Sequence, residues 1–89
     1  MRIDLSEHAK EQIRIRKIDL AELVDCLSAP DDLLYDVKEK TFIAVKRLNG
    51  KLLVVIYSAE RQIKVVTAFR TDKLNIVENR IAKGRWVRI

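Results

Sequence analysis

The dipeptide Asn49-Gly50 separates two runs, Thr41–Leu48 and Lys51–Ser58, that are rich in β-branched and aliphatic residues. Asn-Gly supports positive φ at both centres of a two-residue turn, whose twist matches that of two antiparallel strands. It predicts a hairpin and its register: Leu48 opposite Lys51, Lys46 opposite Leu53, Val45 opposite Val54. A lone hairpin is marginal in water, so such a chain must build a larger sheet. Ile63–Arg70 supplies a third β-rich run and Leu33–Val37 a shorter one ahead of the hairpin.

Outside these runs the apolar period becomes helical. Ser6 is placed as an N-cap, and residues 7–16 contain no Gly or Pro, with Leu5, Ala9, Ile13 and Arg16 on one side. Asp19 opens a second helix, and Glu22 three residues on completes a pair resembling a capping box. Leu20, Leu23, Val24 and Leu27 form its buried stripe. Ala29-Pro30 ends it, because a residue before proline leaves the helical region. The short Lys17–Ile18 link makes the two helices a hairpin or an L-shaped pair. Asp72 caps a last helix carrying Leu74, Val77 and Ile81, and Gly84 follows its end. Arg85–Ile89 is a short basic-aromatic tail. The expected fold is one α+β domain spanning residues 1–89. Its order is ααββββα, with a twisted antiparallel sheet of about four strands and helices on one face.

Alternation divides that sheet. With an even-numbered loop after Tyr57, Tyr57 faces Lys64 and Leu53 faces Ala68. Ile43, Val45, Leu52, Val54, Ile56, Ile63, Val65, Thr67 and Phe69 then share a face apolar enough to hold the helices. Phe42, Lys46, Lys51, Tyr57, Lys64 and Arg70 share the other, with Ala44, Leu53, Val55, Val66 and Ala68 between them. The charges on this second face are all positive, and rings interleave them. That is the composition an RNA-binding sheet surface needs; a merely solvated face is the plain alternative. An odd-numbered loop would turn the last strand over and carry Lys64 and Arg70 away. Charge points the same way. Residues 1–40 hold seven Lys/Arg and ten Asp/Glu, whereas residues 41–89 hold eleven against three. An anionic partner for the C-terminal half is the reading, nucleic acid first.

Other classes drop out. The longest aliphatic run, Leu52–Ile56, is far below membrane-spanning length, and no basic segment leads into an apolar one at the N-terminus. One cysteine excludes an intrachain disulfide, and one Cys with one His leaves no Cys/His zinc site in a monomer. A cytoplasmic protein with no cofactor is expected, Cys26 being a buried free thiol and the aspartates caps and turn residues.

His8-Ala9, Arg16, Ile18, Pro30 and Val65-Val66-Thr67-Ala68-Phe69-Arg70 together resemble a family of small bacterial and archaeal proteins. That family is related to the BrnT toxins and, more distantly, to RelE-type toxins. Residues 5–72 carry the likeness, with Lys17 where the family often has Gly and Gln12 where a basic residue is common. The resemblance implies a RelE-like fold and a toxin of a type II toxin-antitoxin system: a metal-independent endoribonuclease that cleaves mRNA, often on the ribosome, and is neutralised by a partner antitoxin. In such cleavage the ribose 2′-OH attacks the adjacent phosphate, which needs a base, cations for the phosphorane and an acid for the leaving oxygen.

The candidates for that chemistry are Arg70, Lys46, Lys64, Tyr57, His8 and Arg16. Arg70 ends the last strand and would hold transition-state charge. His8 is the natural acid/base, or else hydrogen-bonds where its helix packs. Arg16 holds a phosphate, or ties the helix end to an acid such as Asp19 or Asp36. Lys46 and Lys64 support them, and Tyr57 either serves RNA or pairs with Phe42 across the strands. Lys51, Phe42, Arg85, Trp86 and Arg88 are further RNA contacts, with Trp86 packing on its own domain as the alternative. The same fold without catalysis would bind RNA or a partner protein through the same face, and a homodimer hiding that face fits either reading.

Overall fold

The computed structural model describes residues 2–89. Their order is β1 (Ile3–Leu5), α1 (Glu7–Ile15), α2 (Leu20–Ser28), β2 (Asp32–Asp36), β3 (Thr41–Leu48), β4 (Lys51–Ala59), β5 (Ile63–Thr71), α3 (Ile76–Ala82) and β6 (Trp86–Arg88). The strands form one sheet in the order β1-β5-β4-β3-β2-β6. It has six strands, not about four, and it is mixed, because β1 runs parallel to β5. The expected ααββββα order therefore fails at both ends. The two added strands are three residues long, too short to carry a readable alternation. The last helix has its N-cap at Asn75, not at Asp72.

The middle of the sheet follows the turn chemistry. Asn49 and Gly50 adopt φ of 52° and 78°, and Leu48–Lys51, Lys46–Leu53 and Val45–Val54 face one another as expected. The next pairing differs. Leu53 faces Arg70 and Val55 faces Ala68, but beyond a bulge at Ile56/Tyr57 the partner of Tyr57 is Val65. Val66 is the extra residue. The bulge separates two expected neighbours: Arg70 keeps the face of Leu53, whereas Lys64 pairs with Ser58 and so points to the other face of the sheet from Tyr57.

Helices pack on both faces, not one. α1 and α2 bury Ala9, Ile13, Leu23, Cys26 and Leu27 against Ala44, Leu53, Val55, Val65 and Ala68. This is the face expected to be an open basic cleft. Its centre is apolar, Ala44 and Ala68 leave room for a helix, and the cations stand toward the strand ends. α3 brings Val77, with Trp86 of β6, onto Leu34, Ile43, Val45, Leu52 and Val54. Ile43–Val45 and Leu52–Val55 are thus buried on both sides, as continuous aliphatic runs indicate.

The link between α1 and α2 is a Schellman motif. Ile18 donates its N–H to the Ile13 carbonyl (3.0 Å) and Lys17 to that of Arg14 (3.3 Å), with Ile13 and Ile18 both in the core. Lys17 occupies the left-handed position at φ 53°, where an L side chain is strained. Lys17→Gly should raise the urea midpoint with an unchanged slope, a gain of about 0.5–1 kcal/mol. Gly84 (φ 71°) fills the same position after α3.

Candidate functional site

Placing α1 on the β5 side of the sheet has a consequence for the arginines. β1 pairs only with Ile63–Val65, so residues 66–71 of β5 lie at an open sheet edge. α1 ends beside that edge. The Arg16 guanidinium donates to the Ala68 carbonyl (2.7 Å), covering one outward backbone acceptor. Arg70 donates to the Lys17 carbonyl at 3.4 Å and reaches Glu22 at 3.5 Å. Arg16, Arg70 and Phe69 line one open cleft of about 490 Å³. Arg16 has no carboxylate partner among the described residues, so its charge is not locally neutralised.

The other residues expected at the site are dispersed. Lys46 is drawn onto α2, paired with Asp25 (3.2 Å) and donating to the Ala29 carbonyl (2.9 Å). Tyr57 stacks on Phe42 with centroids 5.5 Å apart, and Tyr35 meets Phe42 edge-on at 5.2 Å. Burial pushes the Tyr57 phenol above its ordinary pKa. This aromatic ladder is the cross-strand pairing that was the structural alternative for Tyr57. His8 is exposed and makes no hydrogen bond or ion pair among the described residues. Lys64 and Lys51 are exposed too, Lys51 beside the hairpin turn. Cys26 is a buried free thiol, pushed up to about 12 by burial, and contacts the Ala44 carbonyl. No group of three or more His, Cys, Asp and Glu is placed to hold a metal ion among the described residues. No helix there is long and apolar enough to cross a membrane.

Arg85, Trp86 and Arg88 lie on the α3 side and are structural first. Arg88 pairs with Asp32 and Glu78. Arg85 and Trp86 converge on Asp36, a carboxylate only 5% exposed. Its Oδ1 accepts from the turn amides of Lys38 (3.0 Å) and Glu39 (2.9 Å), its Oδ2 from the Trp86 indole (3.2 Å), and Arg85 Nε lies 3.2 Å away. Burial pushes this carboxyl up, but the Glu39 amide, the Arg85 guanidinium and the Lys38 amide together outweigh it, so its pKa is lowered. Read as one more turn aspartate, Asp36 gave no sign of this role. Its spacing from a terminal Arg85-Trp86 pair becomes informative only once β6 is known to lie beside β2.

This hub forms one end of a second pocket, about 310 Å³, that crosses the sheet below α3. Thr41, Ile56 and Thr67 come from neighbouring strands, and Arg80 from α3 closes one side with its guanidinium 5.7 Å from the Trp86 ring centre. Thr67, expected to be a buried structural residue, is half-buried and lines this space.

A family model described as a domain of unknown function (DUF4258) matches residues 5–78. No curated protein and no solved structure matches the chain. The chain belongs to the DUF4258 family.

Proposed function

We propose that this DUF4258 chain binds single-stranded RNA at the β5 edge, with Arg16 and Arg70 on phosphates and Phe69 offering apolar surface to a base. The observation that carries the reading is the meeting of Arg16 and Arg70 in one open cleft, though they come from different ends of the chain. Arginine's planar fork suits phosphate oxygens, and Arg16 faces no competing carboxylate. The excess of eleven Lys/Arg over three Asp/Glu in residues 41–89 adds a long-range field of the right sign. The RelE/BrnT resemblance supports the same ligand.

The reading stops at binding. Cutting RNA through the 2′-OH needs a base and an acid at the phosphate. His8 and Tyr57, the natural candidates, do not line this cleft. Anisotropy of a labelled single-stranded RNA, titrated at several salt concentrations, tests the proposal. Arg70→Gln should weaken binding about tenfold and lower the salt slope by about 0.7, the loss of one phosphate contact. Lys38→Gln, in the β2–β3 turn, should change affinity less than twofold. Unchanged affinity and slope in Arg70→Gln would sink the proposal, as would RNA binding indifferent to salt. A cleaved strand in the same assay would replace it with the endoribonuclease reading.

A further inference from the structure

The pocket below α3 is separate from the RNA cleft, and its polar groups are unevenly used. Asp36 is fully engaged by two amides, an indole and a guanidinium. Glu39 reaches Arg85 at 3.6 Å. Both carboxylates of the pocket are therefore tied to Arg85. Arg80 is left with no carboxylate partner among the described residues, and its ring contact with Trp86 uses none of its five N–H donors. The hydroxyls of the half-buried Thr41 and Thr67 also have no side-chain hydrogen-bond partner among the described residues. Ile56 adds apolar surface between them. A free fork-shaped cation, two free hydroxyls and an apolar floor make a site whose own acids are both held by Arg85, Asp36 within hydrogen-bond distance and the exposed Glu39 at its rim.

We propose that this pocket binds a small organic oxyanion, a carboxylate or phosphate monoester on a compact apolar body, with Arg80 gripping the oxyanion and Thr41 and Thr67 completing its hydrogen bonds. At about 310 Å³ it lies at the small end of ligand pockets, which limits the body to about a single ring. A guanidinium fork accepts either head group in the same bidentate geometry. The proposal does not depend on RNA binding.

Trp86 is the chain's only tryptophan, so its indole N–H resonance reports on the pocket without assignment. The full chain is titrated with phenyl phosphate and with benzoate, which share a ring and differ in head group. A saturable shift of that resonance is expected with at least one of them, together with a rise in Tm. Arg80→Gln should weaken this binding at least tenfold and Thr41→Val several-fold. Lys83→Gln, which removes a charge at the end of the same helix, should leave it within twofold. Saturation by phenyl phosphate alone assigns the site to phosphate monoesters, and by benzoate alone to carboxylates. Circular dichroism confirms that each variant is folded. If neither probe saturates into the millimolar range, or Arg80→Gln binds like the parent, the site does not exist. Arg16→Gln with Arg70→Gln should leave the titration unchanged, so failure of the RNA reading stays distinguishable from failure of this one.

Discussion

Asp36→Ala is expected to cost about 3 kcal/mol of folding stability, a Tm decrease of more than about 10 °C for a chain this size. The carboxylate is buried and serves four donors from two parts of the chain, the turn at residues 38–39 and the pair Arg85-Trp86. Removing it orphans the Trp86 indole, frees two turn amides and leaves Arg85 with only the exposed Glu39. Asp36→Asn keeps an acceptor oxygen but not the charge, and should cost about half as much. The same residue sets an acid limit. Its folded pKa lies below the unfolded value of about 3.9, so its contribution is complete above that pH and is lost as pH falls through the folded pKa. Chemical denaturation from pH 7 down to pH 2 should show a shallower acid decline in Asp36→Asn than in the parent. Parallel curves would mean that Asp36 is not linked to folding.

Replacing Arg16 and Arg70 together by Gln should weaken single-stranded RNA binding about a hundredfold at low salt. Each guanidinium supplies a charge-assisted contact worth roughly a factor of ten. Two lost phosphate contacts should also lower the salt slope by about 1.4. Stability should change little. Arg70 and Glu22 form a partly exposed pair, and such pairs contribute about 0–1 kcal/mol. The Arg16 bond to the Ala68 carbonyl lies at a sheet edge that water can reach. A double variant that binds no worse than Arg70→Gln alone would show that Arg16 only positions α1.

The hairpin turn and the caps of the first two helices were legible in the sequence, whereas the start of α3 and the choice of face were not. Asn49-Gly50 led to the correct β3–β4 pairing because one dipeptide sets both turn type and register. Ser6 and Asp19 cap α1 and α2 as their positions suggested. Val66 defeated the next pairing: three successive β-branched residues, Val65-Val66-Thr67, give no sign of which one is extra. β1 and β6 stayed hidden because a three-residue strand is defined by its distant partner more than by its own pattern. The run Leu52–Ile56 did carry the key signal, since a strand apolar at successive positions is buried on both faces. That signal, weighed against the lysines, would have placed helices on the cationic face and brought Arg16 toward Arg70.

The sheet joins two kinds of connectivity. β2 to β5 form a meander in which each strand pairs with its successor, so loop closure there costs little. Its margins come from the first and last segments of the chain: β1 joins β5 across some sixty residues, and β6 joins β2 across about fifty. Such contacts carry the larger entropic cost and form late, and they are the first to open in native fluctuations. The two margins are not equivalent when they open. Release of β1 would bare Ile63–Val65 of β5 and lengthen the edge that Arg16 and Arg70 flank. Release of β6 would withdraw Trp86 from the core and Arg85 from Asp36, removing one end of the pocket below α3. Anything held in that pocket would thus act as a latch on β6.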